Sequence, residues 1–257
     1  MLAIRHFLVR CQNWLVIQIV IAGYKKPSAS LDLVRLGSSY GGWWVPQSIL
    51  QRSDINRVAI SAGLGFDVTF DRALLESGFS VIGLDPLHEC ITYANAELEP
   101  YPNFQSIAKG LWRFSGIETF FPPKIQTHDS WSTSNIHNSP SVDAKTFDVI
   151  SIEDLYKNFT KLKTAQYRLL KMDVEGSEIE LIKVICASRY QVDFLAIEMD
   201  CLSLIPFLNV SSRLAMIKVA RSLMRLLKTS GYKLVKTENF NFFWVFCAKK
   251  STLPTTA

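Results

Sequence analysis

The chain has 257 residues, 48% of them apolar and 12% aromatic, with a net charge of +5. That length suits one large α/β domain with enough apolar side chains for a sizeable core. The charge comes with no RNP, KH or zinc-finger pattern, so no nucleic-acid partner is expected. Five scattered cysteines (Cys11, Cys90, Cys186, Cys201, Cys247) form no C-x-x-C pair. This argues against a disulfide framework or a zinc site and for a reducing compartment, read as the cytoplasm.

Residues 7–23 are apolar but carry Arg10, Gln12, Asn13 and Gln18. A membrane span needs about 20 largely apolar residues, and the cleanest piece here, residues 14–22, is far shorter. No convincing A-x-A cleavage site follows, so a secretory signal has little support. The stretch reads as a helix packed on the domain, with peripheral membrane contact as the alternative. The expected organisation is an N-terminal helix and linker over residues 1–37, a main domain over 38–250 and a polar tail over 251–257. At the start of the main domain, Ser38-Ser-Tyr-Gly-Gly-Trp-Trp-Val-Pro46 sets aromatics beside glycines. Such a cluster serves either as a flap over a pocket or as core packing around a turn.

Val58-Ala-Ile-Ser-Ala-Gly-Leu-Gly-Phe-Asp67 reads as a buried strand, a tight turn on Gly63-Leu64-Gly65 and a helix start. Glycine lets the backbone turn sharply and approach a ligand closely. A second apolar strand, Val81-Ile-Gly-Leu-Asp85-Pro86, ends in an acid twenty residues after Gly65. A carboxylate there is placed to accept hydrogen bonds from ribose hydroxyls. A dinucleotide fingerprint would want glycine or alanine at Val68, and Asp67, expected in the first helical turn, would repel a pyrophosphate. A cationic sulfonium tolerates it. The pattern therefore favours S-adenosylmethionine over NAD. The plain structural reading makes Gly63 and Gly65 turn residues and gives Asp85-Pro86 to a helix cap.

Further on, helices are expected over residues 68–75 and 87–98, and a third strand over 104–109, ending at Lys109. Residues 112–147 look irregular and are expected to carry acceptor contacts. They contain His128 beside Asp129, a candidate catalytic pair if it is not simply an exposed loop. A strand over 147–152 leads to Ser151-Ile-Glu-Asp154, a capping-box pattern. Residues 167–172 form the next strand and deliver Asp173-Val-Glu-Gly-Ser-Glu178 to the carboxyl end of the sheet. In an extended segment Asp173 and Glu175 would point the same way. Ser177 and Glu180 have capping-box spacing, and Glu178 fits either a structural or a functional role. A strand over 192–198 and an amphipathic helix over 214–229 follow, with Lys218, Arg221, Arg225 and Lys228 along one stripe. Strands over 232–236 and 242–248 are joined by too few residues for a crossover helix, so they run antiparallel.

Three motifs together resemble the FkbM family of S-adenosylmethionine-dependent methyltransferases. They are Ser61-Ala-Gly-Leu-Gly-Phe-Asp-Val-Thr-Phe-Asp71, Gly83-Leu-Asp-Pro86 and Leu170-Lys-Met-Asp-Val-Glu-Gly-Ser-Glu178. The last is the most specific, and the similarity runs over residues 40–248. The resemblance implies a class I methyltransferase fold: a Rossmann-like, doubly wound, mostly parallel seven-stranded sheet ending in an antiparallel hairpin. It implies O-methylation of a hydroxylated small molecule or sugar with S-adenosylmethionine. Ser61, Ala62, Gly63, Leu64, Gly65, Asp67, Asp85, Pro86 and Lys109 would hold the cofactor. Asp173, Glu175 and His128 would be catalytic, and no metal is expected. Many methyltransferases have an acid where this chain has Ser61. In the structural alternative, Asp173 caps the turn at Gly176 and Glu175 pairs with a basic neighbour such as Lys109. The rival functions are an NAD-dependent oxidoreductase and a non-catalytic cofactor-binding module.

Overall fold

A computed structural model describes residues 2–24, 31–52, 54–122, 131–133, 143–190, 192–203 and 209–247. It begins with α1 (Leu2–Ile21), a hairpin of β1 (Leu33–Leu36) and β2 (Trp43–Pro46), and the short α2 (Gln47–Leu50). Then come β3 (Arg57–Ala62), α3 (Thr69–Glu76), β4 (Ser80–Leu84), α4 (His88–Glu97), β5 (Phe104–Ile107), β6 (Gly110–Trp112) and β7 (Gly116–Phe120). The second half holds β8 (Lys145–Ser151), α5 (Ile152–Asn158), α6 (Thr160–Thr164), β9 (Tyr167–Met172), α7 (Glu178–Ala187) and β10 (Phe194–Glu198). It ends with α8 (Asp200–Ser203), α9 (Val210–Thr229), β11 (Tyr232–Glu238) and β12 (Asn241–Phe246).

Seven strands form the central sheet in the order β11-β12-β10-β9-β3-β4-β5. The contacts β10–β9, β9–β3, β3–β4 and β4–β5 are parallel, whereas β12 runs antiparallel to both β10 and β11. This is the expected class I arrangement. Strand order reverses between β3 and β9, and open α/β sheets bind ligands in the crevice at such a reversal.

Alternation along the strands explains why both faces are covered. Val58, Ile60 and Ala62 of β3, Leu170 and Met172 of β9, and Leu195 and Ile197 of β10 pack into one apolar cluster with α7 and α9. Ala59, Leu169 and Ala196 face the other way, into a cluster with Phe70 and Leu74 of α3 and Ile91 of α4. A strand buried on both faces reads as a continuous apolar run, as these do. Val16 and Val20 of α1 join the first cluster, so the N-terminal helix packs on the domain. The expected boundary at residue 37 falls between β1 and β2, which pair with each other.

The stretch over residues 112–147, expected to be irregular, instead contains β7 and the start of β8. Together with β6 they make a three-stranded sheet around Trp112, Phe120 and Val149. Most of β7 is exposed, so Gly-Ile-Glu-Thr-Phe carries no clean alternation that would mark a strand. Ser151 caps α5 as expected, its hydroxyl accepting from the Asp154 amide at 3.1 Å.

Candidate active site

The glycine turn after β3 is where three strand ends are stitched together. Gly63 and Gly65 sit at φ 80° and 55°, in the left-handed region that favours glycine. The Gly63 amide donates to the Leu84 carbonyl at 2.9 Å, and the Asp173 amide donates to the Ala62 carbonyl at 3.0 Å. A Cβ on Gly63 would lie 1.8 Å from the Asp173 carbonyl oxygen, so no larger residue fits between β3 and β9 here. Asp85 then locks the turn. Its Oδ2 accepts from the amides of Leu64 and Gly65 at 3.0 and 3.1 Å, and its Oδ1 accepts from Leu87 at 2.9 Å. Burial raises the Asp85 carboxyl above its ordinary range, while those three amides pull it down. With two lone pairs per oxygen, Oδ1 keeps one acceptor position for a ligand hydroxyl.

Above the turn lies a cavity of about 290 Å³, just under the roughly 300–1,000 Å³ usual for ligand sites. Gly63, Leu64, Gly65, Asp85 and Pro86 form one side, and Asp173, Glu175 and Glu198 another. Tyr40, Trp43, Phe120 and Trp131 add aromatic walls. Within the 38–46 cluster Trp43 is buried in the core, as core packing requires, while Tyr40 is 90% exposed at the mouth of the cavity. Asp67 holds this loop in place. It stands before α3 rather than in its first turn, accepts from the Thr69 amide at 3.0 Å, and takes the Ser38 hydroxyl on its other oxygen. Burial raises its carboxyl, but the bonds from Ser38 and Thr69 outweigh this and hold it below its ordinary value.

Lys171 is the only cation among the described residues lining the cavity. Its ammonium donates to the Gly63 carbonyl and lies 3.5 Å from Asp173. Across β3 it is in register with Ser61, whose side chain points to the α3 face and is fully buried. There Asp71 of α3 is also buried; burial raises its carboxyl, and Lys171 and Ser61 draw it back. At the end of β10, Glu198 faces the same cation and two other acids. Its carboxyl is pushed up to about 8 by burial first, then by the charges of Asp173 and Glu175. Lys171 opposes that shift. Such a pKa, in a cleft and with a stated charge partner, marks a functional candidate.

Most of the expected site residues converge here. Gly63, Leu64, Gly65, Asp67, Asp85, Pro86, Asp173 and Glu175 line the cavity. Ser61 and Ala62 lie buried beneath it, and Lys109 sits on the bend between β5 and β6, away from the lining. His128 and Asp129 fall outside the described residues. Two local expectations change. The segment after β9 is a turn and not extended: β9 stops at Met172 and Glu175 takes φ 49°. Asp173 and Glu175 therefore meet at the cavity through a left-handed turn into Gly176, not through strand alternation. The Ser177–Glu180 capping box does not form either. Ser177 has helical backbone angles and shares a hydrogen bond with Thr133 at 2.8 Å, while Glu180 pairs with Lys183. Glu178 is fully buried outside the cavity lining, its side chain accepting from the Cys201 amide at 3.0 Å.

The sequence reading assigned no role to Lys171, Asp71 or Glu198. Glu198 carried a usable signal, because an apolar strand ending in an acid is the same pattern that singled out Asp85. Lys171 carried a weaker one, as a lysine inside the buried run Leu-Leu-Lys-Met.

No curated protein matches this sequence. Several solved structures share a similar chain path at low sequence identity. The METTL16 methyltransferase domain is 12% identical, with a TM-score of 0.41 over 93% of this chain and 81% of that one. Fibrillarin from Methanococcus jannaschii is 9% identical, with a TM-score of 0.40 over 76% and 68%. A Streptococcus mutans protein named as a methyltransferase and crystallised with SAH is 13% identical, with a TM-score of 0.39 over 76% and 90%. The profile of the methyltransferase FkbM domain matches residues 56–217, from the start of β3 into α9. That span takes in the glycine turn, Asp85, Asp173, Glu175 and Glu198, and the chain belongs to the FkbM methyltransferase family.

Proposed function

We propose that this protein transfers the methyl group of S-adenosylmethionine to a hydroxyl oxygen of a small molecule or sugar bound in the cavity, with Glu198 taking the hydroxyl proton. The observation that carries this reading is the raised carboxyl of Glu198 facing Asp173 and Glu175 beside the glycine turn.

The residues present fit the family's cofactor. The glycine turn lining the cavity, an acceptor position on Asp85 and the Lys171–Asp173 ion pair suit the ribose and amino-acid ends of that molecule. The bound cofactor supplies an electrophilic methyl on a sulfonium. The chain's own task is to align the acceptor, which for well-oriented reactants is worth about 7–11 kcal/mol of barrier. Its second task is to remove the acceptor's proton, worth about 10²–10⁴-fold. Asp173 and Glu175 assist by raising the basicity of Glu198. The cavity's mix of aromatic walls and carboxylates suits a hydroxylated acceptor, since ring faces cover apolar edges while carboxylates accept from hydroxyls. The five free cysteines support a reducing compartment, and we place the protein in the cytoplasm.

The test is to incubate the protein with methyl-labelled cofactor and fractionated cell extract, then identify the labelled product. A methyl ether is expected. Label on nitrogen or carbon, or no protein-dependent label in any fraction, would overturn the reading.

A further inference from the structure

Among the described residues, eleven large hydrophobic side chains are exposed, and six lie on α1 and α9: Trp14, Leu15, Ile19, Val210, Leu214 and Val219. The two helices pack side by side. Arg221 of α9 donates to the Ile19 carbonyl of α1, and Lys228 sits over the ring of Tyr24, 5.6 Å from its centre. Their charge is as uneven as their exposure. Neither helix contains an aspartate or glutamate, whereas α1 has two arginines and α9 has Arg213, Lys218, Arg221, Arg225 and Lys228. With these seven set aside, the rest of the chain has 21 cations against 23 acids. All the net positive charge is therefore on this one pair of helices.

On α9 the arrangement is ordered. Val210, Leu214, Lys218, Arg221, Arg225 and Lys228 fall within about 80° of one another at 3.6 residues per turn. The stripe is apolar at its N-terminal end and cationic beyond it, and Arg221 brings it against α1. Among the described residues, none of Lys218, Arg221, Arg225 and Lys228 forms an ion pair with a carboxylate. A solvated basic face usually alternates cations with acids; this one pairs cations with exposed tryptophan and leucine. No described helix is long and apolar enough to cross a membrane, so these side chains are not part of a span.

We propose that α1 and α9 together form a docking surface for an anionic lipid bilayer. Trp14, Leu15 and Leu214 enter the headgroup boundary while Lys218, Arg221 and Arg225 meet the lipid charge, the usual division of labour in an interfacial amphipathic helix. α9 starts at the end of the sheet where β10 presents Glu198, so the apolar end of the stripe lies on the same end of the molecule as the cavity. Docking there brings the methyltransferase site toward the lipid surface.

The test is co-sedimentation of the full chain with phosphatidylcholine vesicles, with and without phosphatidylserine, alongside SAH titration of the same preparation. Each lysine or arginine near an anionic surface contributes about 1 kcal/mol, or about fivefold in partitioning. Binding should appear with phosphatidylserine, weaken with salt, and fall about 25-fold in the double variant Lys218→Gln/Arg225→Gln. Trp14→Ser should weaken it further. SAH affinity should be unchanged in all of these variants, since none of the residues touches the cavity. Equal sedimentation with and without phosphatidylserine, no sedimentation at all, or unaltered binding by the double variant would overturn the proposal. Tight retention on RNA or DNA without vesicle binding would also overturn it, by assigning the cations to another partner.

Discussion

Replacing Glu198 by glutamine removes a titrating group whose carboxyl stands at about 8 in the folded protein. With that value, about one molecule in eleven has Glu198 ionised at pH 7, and about ten in eleven at pH 9. A turnover that needs the carboxylate should therefore rise about tenfold between pH 7 and pH 9 in the wild-type protein. In Glu198→Gln it should be flat and lower by about 10²–10⁴-fold. A second readout needs no acceptor. The folded pKa lies above the ordinary value of 4.5, so the folded state binds the extra proton. The resulting stability is fully present below about pH 4.5 and is lost as pH rises through about 8. One pKa unit is about 1.4 kcal/mol, which puts the loss at no more than about 5 kcal/mol. Urea unfolding between pH 5 and pH 9 should show this decline in the wild type and a shallower one in Glu198→Gln. Full turnover in the mutant, or identical pH dependence of stability in the two proteins, would refute the assignment of Glu198.

The remaining predictions probe its neighbours. Asp173→Asn removes a negative charge that raises Glu198, so the pH–rate profile should move to lower pH. Lys171→Met removes the charge that opposes the shift, so the profile should move to higher pH; an unmoved profile in both would contradict the coupling. Gly63→Ala would drive a Cβ against the Asp173 carbonyl at a positive φ, and thermal unfolding should show a loss of several kcal/mol. Retention of the wild-type melting temperature would show that β3 and β9 can separate there at no cost.

Most of the sheet was legible because its strands are buried on both faces. Runs such as Val58–Ala62 and Phe194–Ile197 admit only a core strand between turn signals, and the short link before β12 forces an antiparallel pair. The glycine turn and Asp85 were legible because spacing along one βαβ unit is local information. What escaped was non-local or solvent-facing. β7 is an exposed edge strand whose partner, β8, comes after a long stretch of sequence. The turn at Glu175 depends on a left-handed residue that period-two reasoning passes over. Lys171 and Asp71 are functional candidates only because β9 and α3 meet across β3, which no spacing along the chain reveals. Asp67 was read as a charge in a helix and is a clamp on the loop that carries Tyr40.

Calorimetric titration with SAH asks whether the cavity between the ends of β3, β4 and β9 binds S-adenosylmethionine. One SAH should bind per chain, NAD should not bind, and folded Asp85→Ala should lose at least tenfold in SAH affinity. A hydrogen bond to a charged group is worth about 1.5–3 kcal/mol, and the same substitution frees the glycine turn from its carboxylate. Unchanged SAH affinity in that mutant, or binding of NAD in place of SAH, would contradict this reading of the cavity.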